Sequence, residues 1–222
     1  MPTSVPIADV SPGNVLTAVM YNALAHNLNK LLNTGHRVLT VAQFAALTGL
    51  EGTKGTVAPD EVYLEVDATN GLQWHLAYES GEATYKWRFL GGPALVSVVA
   101  TAEATSSATY AALATAGPSV ALPRTGDYDV RTEAGIAVPV SAAPGSLSLM
   151  SYDVGGTGAA DADCIEATAS VNQAASIPAH HSRTKRRTGQ AAVTLTAKYR
   201  SSSSTSAQFQ DRSMAVTPVR LV

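Results

Sequence analysis

The sequence predicts a mainly β protein: an N-terminal helical anchor, a small three-stranded β-meander and a C-terminal antiparallel β-sandwich, or jelly roll. Three observations predict this fold. Apolar residues recur at helical spacing only near the start of the 222-residue chain. Large residues then alternate with polar ones between residues 62 and 89. Beyond residue 93, short runs rich in strand-forming residues are separated by Pro, Gly and Ser, with no helical stretch between them. The predicted segments are an extended arm (1–14), the helical anchor (15–50), the meander (58–93) and the jelly-roll domain (94–222).

The composition excludes several classes of protein. Charged residues make up 14% of the chain, and 15 Lys and Arg against 17 Asp and Glu leave a formal charge of −2. Such a chain has no strong field to draw it onto nucleic acid or an anionic membrane. The single cysteine, Cys164, excludes a disulfide scaffold and is expected to be a small core residue. No apolar run approaches the roughly 20 residues of a membrane-spanning helix, and the N-terminus does not read as a secretory signal.

The N-terminal segment predicts an element that needs a partner. Residues 1–14 contain three prolines and one glycine, which predicts an extended arm. An apolar stripe at spacings of three, four and three residues then predicts a docking helix, too short for a free coiled coil. Its partner is either copies of itself or another protein. The stripe consists of Tyr21, Leu24, Leu28 and Leu31. A second short helix is predicted where Thr40 and Gln43 match a capping box.

The meander is predicted from alternation with a period of two, and Asn70-Gly71 suits the tight turn between its first two strands. A row of aromatic side chains can also stack on sugars or bases, but the regular alternation favours packing in a core. The predicted core residues are Trp74, Tyr78, Tyr85, Trp87 and Phe89.

The C-terminal segment predicts about eight short strands, a number typical of a sandwich or jelly roll. Pro, Gly and Ser mark the breaks between them. The predicted strands cover residues 95–105, 109–113, 119–122, 128–140, 146–154, 165–172, 193–200 and 214–221.

No motif for a cofactor or metal is complete. Residues 49–56 lack the Gly-Lys-Ser/Thr order of a phosphate loop, and residues 156–161 depart from a dinucleotide fingerprint at its third glycine. His180 and His181 are expected in a polar loop without metal-ligand spacing. The sequence therefore predicts no cofactor and no metal.

Two close pairs of acidic residues are the candidates for an active site, if the protein is a hydrolytic enzyme. Hydrolysis of a glycosidic bond needs two carboxylates held in a cleft, and Asp127 with Asp129 or Asp161 with Asp163 are the candidates in the β body. Both pairs lie beside turn residues, where acids are common. The second pair is open to either calcium binding or a simple mobile hairpin tip.

One dense group of cations, which we call the basic cluster, consists of Arg183, Lys185, Arg186 and Arg187. Four cations neutralise at most about four phosphates, so affinity for nucleic acid would be weak and salt-labile. Arginine also pairs well with carboxylates of a neighbouring chain. The cluster is therefore predicted to lie in a loop that is either solvated or part of an interface. Of these, a contact with another subunit or a neighbouring protein is the prediction.

Several stretches resemble a known family. Residues 62–66 (VYLEV), 71–78 (GLQWHLAY) and 85–93 (YKWRFLGGP) resemble a module of structural proteins in tailed phages of actinobacteria, of the minor tail, fibre or decoration type. Residues 122–128 (LPRTGDY), 197–200 (AKYR) and 211–220 (DRSMAVTPVR) resemble their terminal domain, which is similar to trimeric jelly rolls of the tumour-necrosis-factor type. The resemblance covers residues 15–222.

The resemblance implies a non-enzymatic, homotrimeric virion protein that is assembled in the host cytoplasm. It implies an N-terminal anchor on other virion proteins, of the tail or the capsid, and an exposed head whose contact with a host cell-surface glycan is left open. The chain lacks a long shaft, which keeps a capsid decoration protein, or head fibre, as the alternative to a minor tail or fibre protein. A carbohydrate-active tail enzyme is the third alternative. Neither nucleic acid nor a membrane is an expected partner.

Overall fold

The computed structural model describes residues 38–48, 61–79, 81–170, 177–202 and 206–222. The chain divides into two compact units, the first ending at Gly92 and the second formed by Pro93–Leu221. The extended arm and the predicted docking helix, with Tyr21, Leu24, Leu28 and Leu31, lie outside the described residues. Within them the predicted mainly β class is confirmed, and no helix is long and apolar enough to cross a membrane.

The first unit contains β1 (Val38–Thr40), α1 (Val41–Thr48), β2 (Glu61–Asp67), β3 (Leu72–Tyr78) and β4 (Trp87–Gly91). Strands β2, β3 and β4 form the predicted antiparallel meander. Strand β1 adds a parallel neighbour to β2, which the sequence did not predict because three residues are too few to show a period. The capping box before α1 is confirmed: the Thr40 amide donates to Gln43 Oε1 at 3.0 Å, and the Gln43 amide donates to Thr40 Oγ1 at 3.3 Å.

The core of the first unit is aromatic. Trp74, Tyr78 and Trp87 are buried, and the ring centroid of Trp87 lies 5.2 Å from that of Tyr78. Phe44 of α1 packs on the same indole at 5.2 Å, so the helix covers this face of the meander. Phe89 is half-buried, with its ring 6.4 Å from Trp74. Tyr85 is half-buried and precedes β4, with a positive φ of 50°, so the alternation in this strand begins at Trp87.

The second unit is a two-sheet antiparallel sandwich. In the described part of the chain, β8 lies between β11 and β13 in the larger sheet, and β5 and β6 pair with the other edge of β13. The smaller sheet has the order β10-β9-β12-β7. The strands are β5 (Leu95–Val99), β6 (Glu103–Thr105), β7 (Ser119–Ala121), β8 (Gly126–Ala137), β9 (Leu147–Val154), β10 (Ile165–Thr168), β11 (Ala179–Gln190), β12 (Thr194–Ser201) and β13 (Ala207–Leu221).

Alternate residues of the long strands fill the space between the two sheets. Tyr199 of the smaller sheet, for example, packs on Phe209 of the larger one with a centroid distance of 5.0 Å. One charged residue, Arg212, is fully buried in this layer. The largest buried apolar side chains of the unit include Tyr128, Ile136, Tyr152, Tyr199 and Phe209.

Four predictions about strands need correction. Residues 95–105, predicted as one strand, form the two strands β5 and β6, because the chain leaves the sheet between Val99 and Glu103. Residues 109–113 form no strand and make a single bridge, between Ala111 and Tyr199. Strand β13 begins at Ala207, before the predicted start at Met214. Strand β11 was missed altogether, because its polar residues show no apolar alternation.

Candidate functional site

The basic cluster lies on β11, and so do His180 and His181. The prediction that these residues form polar loops is therefore wrong. Strand β11 pairs antiparallel with β8 and, among the described strands, with no other, so it is an edge strand. Main-chain pairing with β8 holds a polar run as a strand, and charged side chains are common on such edges. Successive side chains point to opposite faces, so Arg186 lies on the other face from the rest of the cluster.

Asp163 binds two cations of the cluster. Its carboxylate is 5% exposed and lies 2.6 Å from Lys185 Nζ and 2.9 Å from Arg187 Nη1. Lys185 also donates to the carbonyl oxygen of Ala162 at 2.9 Å. The Arg187 guanidinium lies 5.9 Å from the centre of the Tyr152 ring. Tyr152 is itself buried, and this burial raises the pKa of its hydroxyl to about 12. Both cations are thus bound within the chain, although the single carboxylate balances the charge of only one of them.

The other two cations also bind groups of the same chain. Arg183 Nη1 donates to the carbonyl oxygen of Cys164 at 3.0 Å. Arg186 makes two hydrogen bonds to Asp129, at 2.6 Å and 3.1 Å. These bonds raise the pKa of Arg186, so the guanidinium stays charged. The carboxylates that the sequence led us to expect on a neighbouring chain are found in this one, and an intersubunit role of the cluster stays a prediction.

Asp161 begins a single 3-10 turn, Asp161–Asp163, in the connection between β9 and β10. It accepts hydrogen bonds from the Tyr110 hydroxyl at 2.8 Å and from Arg200 Nη2 at 2.7 Å. The Arg200 guanidinium also lies 5.3 Å from the centre of the Tyr110 ring, and burial raises the pKa of Tyr110. Since Asp163 is ion-paired as well, neither carboxylate of this pair is free of a cationic partner.

An open polar cleft of about 340 Å³ lies beside the turn. Glu166, His181 and Ser182 make no side-chain hydrogen bond or ion pair with any described residue. The cleft therefore presents the carboxylate of Glu166 and the imidazole of His181 to a ligand, and neither has a side-chain partner among the described residues. Ser182 borders the cleft, but its side chain alternates with that of His181 and lies on the face of its cross-strand partner Glu133. It is lined by Asp161, Cys164, Ile165, Glu166, His181, Ser182 and Arg183.

Cys164 lies in this cleft, but its thiol is not activated. It is a buried free cysteine, as predicted. Burial raises the pKa of the Cys164 thiol, and the nearby carboxylates of Glu166 and Asp161 raise it further. Since the thiolate is the nucleophile and the metal ligand, a protonated thiol performs neither role. Among the described residues, no group of three or more His, Cys, Asp or Glu side chains is placed to hold a metal ion.

The remaining acidic pair is also bound within the chain. Asp127 accepts a hydrogen bond from the Gly189 amide at 2.8 Å, and Asp129 is the partner of Arg186. Both aspartates thus attach β8 to β11. Neither is a carboxylate that stands free to protonate a leaving group or to activate water.

A second candidate surface is an exposed apolar patch on β5, which the sequence patterns do not predict. Val96 and Val98 of β5 are 60% and 64% exposed, although both belong to a strand of the larger sheet. Their cross-strand neighbours on β13 are Ala215 and Ser213. We call these four residues the valine face. The sequence does contain a signal for this surface. The run Leu95-Val96-Ser97-Val98-Val99 has apolar residues on both sides of the strand, whereas a strand with one solvated side normally alternates apolar and polar residues.

Comparison with known proteins gives only distant structural similarities. No protein-family model and no curated protein matches the chain. The Eiger TNF structure from S. frugiperda is 10% identical, with a TM-score of 0.39, over 59% of this chain and 94% of that one. Dimeric latent PorU from Porphyromonas gingivalis is 13% identical, with a TM-score of 0.35, over 64% and 14% of the two chains. The VP2 subviral particle of infectious bursal disease virus is 13% identical, with a TM-score of 0.34, over 66% and 42%. At these TM-scores, none of the similarities assigns the chain to a family.

Proposed function

We propose that the protein is a non-enzymatic structural protein of a tailed bacteriophage virion, a homotrimer on the particle surface of the minor tail or fibre type. The proposal is supported by the sequence segments that resemble phage structural proteins, such as residues 85–93 and 211–220. One structural observation gives this proposal its main support. The charged groups of the sandwich edge bind one another, whereas an apolar face of the same sheet stays exposed. This arrangement suits a rigid subunit that assembles with other proteins.

The enzyme alternative has weaker support. It depends on a free carboxylate pair in a cleft, but Asp163 is buried between Lys185 and Arg187, and Asp129 is held by Arg186. The protonated thiol of Cys164 does not replace them as a nucleophile. A role in assembly needs none of these groups to be free.

The place on the virion distinguishes the two structural alternatives. A minor tail or fibre protein is attached to the tail, whereas a decoration protein, or head fibre, is attached to the capsid through its N-terminal segment. Intact particles labelled with gold-conjugated antibody against the second unit, and viewed by electron microscopy, test the proposal. Gold on tails supports the main proposal, gold on capsids supports the decoration alternative, and particles without gold or density for this chain contradict both.

The cleft favours a second role, contact with a host cell-surface glycan. Sugar hydroxyls both donate and accept hydrogen bonds, and Glu166 and His181 offer both kinds of partner. Saturation-transfer NMR of the purified protein with solubilised host cell-wall polysaccharide tests this role. Transfer from the protein to the polysaccharide that is lost in Glu166→Gln with His181→Ala supports it, and no transfer from the wild type to the polysaccharide contradicts it.

A further inference from the structure

We propose that the sugar bound in the cleft is an acidic sugar, whose carboxylate binds Arg183 while its hydroxyl groups hydrogen-bond to Glu166 and His181. The inference rests on the glycan contact proposed above, and it adds the chemical class of the glycan. All three side chains belong to the second unit.

The cleft opens where the edges of the two sheets meet. Among the described strands, β10 pairs only with β9, and β11 pairs only with β8. The two edge strands contact each other, but no main-chain ladder joins them in the described part of the chain. Side chains of the two edges therefore line the opening, Glu166 from β10 and both His181 and Arg183 from β11. Its volume of about 340 Å³ is within the range of small-ligand pockets, about 300–1,000 Å³.

Arg183 is the anion-binding group of the cleft. Its Nη1 donates to the carbonyl oxygen of Cys164 at 3.0 Å, which holds the guanidinium against the wall of the cleft. A guanidinium has five N–H donors, so this bond leaves most of them to a ligand. The other three cations of the basic cluster have carboxylate partners, whereas Arg183 has none among the described residues. A planar guanidinium with free donors binds a carboxylate through two parallel hydrogen bonds.

The neighbours of Arg183 suit the hydroxyl groups of a sugar ring. His181 lies two residues before Arg183 on β11, so both side chains lie on one face of the strand, about 7 Å apart along it. Glu166 lies on the other edge strand, β10. A carboxylate accepts hydrogen bonds, and a neutral imidazole donates with one nitrogen and accepts with the other. A ligand that spans the cleft thus meets a cation at one point and partners for hydroxyl groups at two others.

The balance of charge distinguishes an acidic sugar from an amino sugar. Asp161 also lines the cleft, but Arg200 lies 2.7 Å from its carboxylate and balances its charge. Two charges remain, the carboxylate of Glu166 and the guanidinium of Arg183, and only the guanidinium is held by a side-chain hydrogen bond within the described chain. A group that is already held loses less freedom when a ligand binds, so a ligand carboxylate on Arg183 is favoured over an ammonium group on Glu166. A neutral sugar would leave the charge of Arg183 without a partner.

The first test compares two forms of one glycan by saturation-transfer NMR. Full-length protein is mixed with solubilised host cell-wall polysaccharide, or with the same polysaccharide after its carboxyl groups have been reduced to alcohols. We expect transfer from the protein to the native polysaccharide, and its loss with the reduced one or in Arg183→Gln. The matched control is Arg186→Gln, which removes the same charge from the opposite face of the same strand and should bind like the wild type. Circular dichroism verifies that both variants stay folded.

The second test measures the preference for acid on a single sugar. Methyl β-D-glucuronide carries a carboxylate where methyl β-D-glucoside carries a hydroxymethyl group. We expect the wild type to bind the glucuronide about tenfold more tightly. Arg183→Gln should lose this preference but keep its affinity for the glucoside, which verifies that the cleft is intact. Arg183→Lys keeps the charge without the planar donor group and should retain part of the preference.

The outcomes separate this inference from the glycan contact itself. A wild type without transfer to the native polysaccharide overturns the glycan contact and this inference with it. Equal transfer to the native and the reduced polysaccharide overturns the acidic class alone, and so does equal affinity for the two glycosides. An Arg183→Gln protein that binds like the wild type, or an equal loss in Arg186→Gln, overturns the role of Arg183.

Two further probes test the competing ligand classes. Methyl β-D-glucosaminide carries an ammonium group, and tighter binding of this sugar than of the glucuronide would assign the charged contact to Glu166 and overturn the proposal. N-acetylglycine carries a carboxylate without a sugar ring. Binding of N-acetylglycine as tight as that of the glucuronide would show that the ring contributes nothing, and would also overturn it.

Discussion

At the scale of single residues, buried charges connect segments that are far apart along the chain. Arg212 is fully buried, donates to the carbonyl oxygen of Thr101 at 3.0 Å and lies 3.5 Å from Glu103. Glu103 in turn accepts hydrogen bonds from the amide and the hydroxyl of Thr115, at 2.8 Å and 2.5 Å. A buried charge is stable only where it is paired and hydrogen-bonded. These contacts therefore fix the connection between β6 and β7 onto β13.

Removal of the buried carboxylate of Asp163 should destabilise the fold. Asp163→Asn preserves the size of the side chain but leaves Lys185 and Arg187 without their counter-charge. We expect the free energy of unfolding to fall by about 2–3 kcal/mol, as measured by urea denaturation. The control is Asp129→Asn, whose pair with Arg186 is partly exposed, with side-chain exposures of 35% and 51%, and should contribute less than about 1 kcal/mol. Equal losses in the two variants would contradict the structural role of Asp163.

Glu103 should make stability depend on acid pH. The hydrogen bonds from the Thr115 hydroxyl and amide, followed by the charge of Arg212, lower the pKa of Glu103 below its ordinary value of 4.5. As pH falls through that ordinary value, the unfolded chain takes up a proton before the folded chain does, so this stabilisation is lost in acid. The urea midpoint of the wild type should therefore drop more steeply from about pH 5 downward than that of Glu103→Gln. Glu166→Gln, which removes an unpartnered carboxylate in the described part of the chain, should follow the wild type. Identical profiles for Glu103→Gln and the wild type would refute the argument.

At the scale of elements, sequence patterns found the strands that have an apolar side. The meander and strands β7 to β10 and β12 were predicted within a few residues, because alternation and turn residues mark them. Strand β11 was not, since it is held by main-chain pairing to β8 rather than by an apolar face. Strand β1 was missed because it is only three residues long. Position in the sheet, rather than local pattern, decides such elements.

Pairing of β8 with β13 should depend on Gly126. A Cβ atom at this position would lie 2.2 Å from the carbonyl oxygen of Arg220 and 3.0 Å from the Cα atom of Leu221. Backbone atoms cannot move aside as a flexible side chain can, so Gly126→Ala should lower the free energy of unfolding by about 1–3 kcal/mol. In Gly91→Ala the new methyl group meets nothing within 4 Å, and we expect little change. Thermal or urea unfolding measures both, and a Gly126→Ala protein as stable as the wild type would contradict the expected clash.

At the scale of the whole molecule, the sequence predicted the candidate site only in part. The basic cluster was visible because its four cations are close along the chain. Their partners were not, because Asp163 lies 24 residues from Arg187, and Asp129 lies 57 residues from Arg186. The cleft beside Glu166 likewise depends on two strands that only the fold brings together. Attachment to the virion, as proposed above, is assigned to the N-terminal segment from its sequence alone, because the predicted docking helix lies outside the described residues.

Attachment is expected to depend on residues 1–35 and not on the two described units. The units have buried cores of their own, from Leu39 to Leu221, so deletion of residues 1–35 should leave the circular dichroism and the unfolding midpoint of the β body nearly unchanged. The same deletion removes the stripe of Tyr21, Leu24, Leu28 and Leu31, which would dock in a groove of the virion. Particles assembled with the truncated chain should therefore lack it, as measured by immunoblotting of purified virions.

In the full-length chain, Leu24→Asp with Leu28→Asp should have the same effect, whereas Asn22→Asp with Asn29→Asp, on the opposite face of the predicted helix, should not. Normal incorporation of the truncated chain, or equal loss with both pairs of substitutions, would show that the apolar stripe is not the docking element.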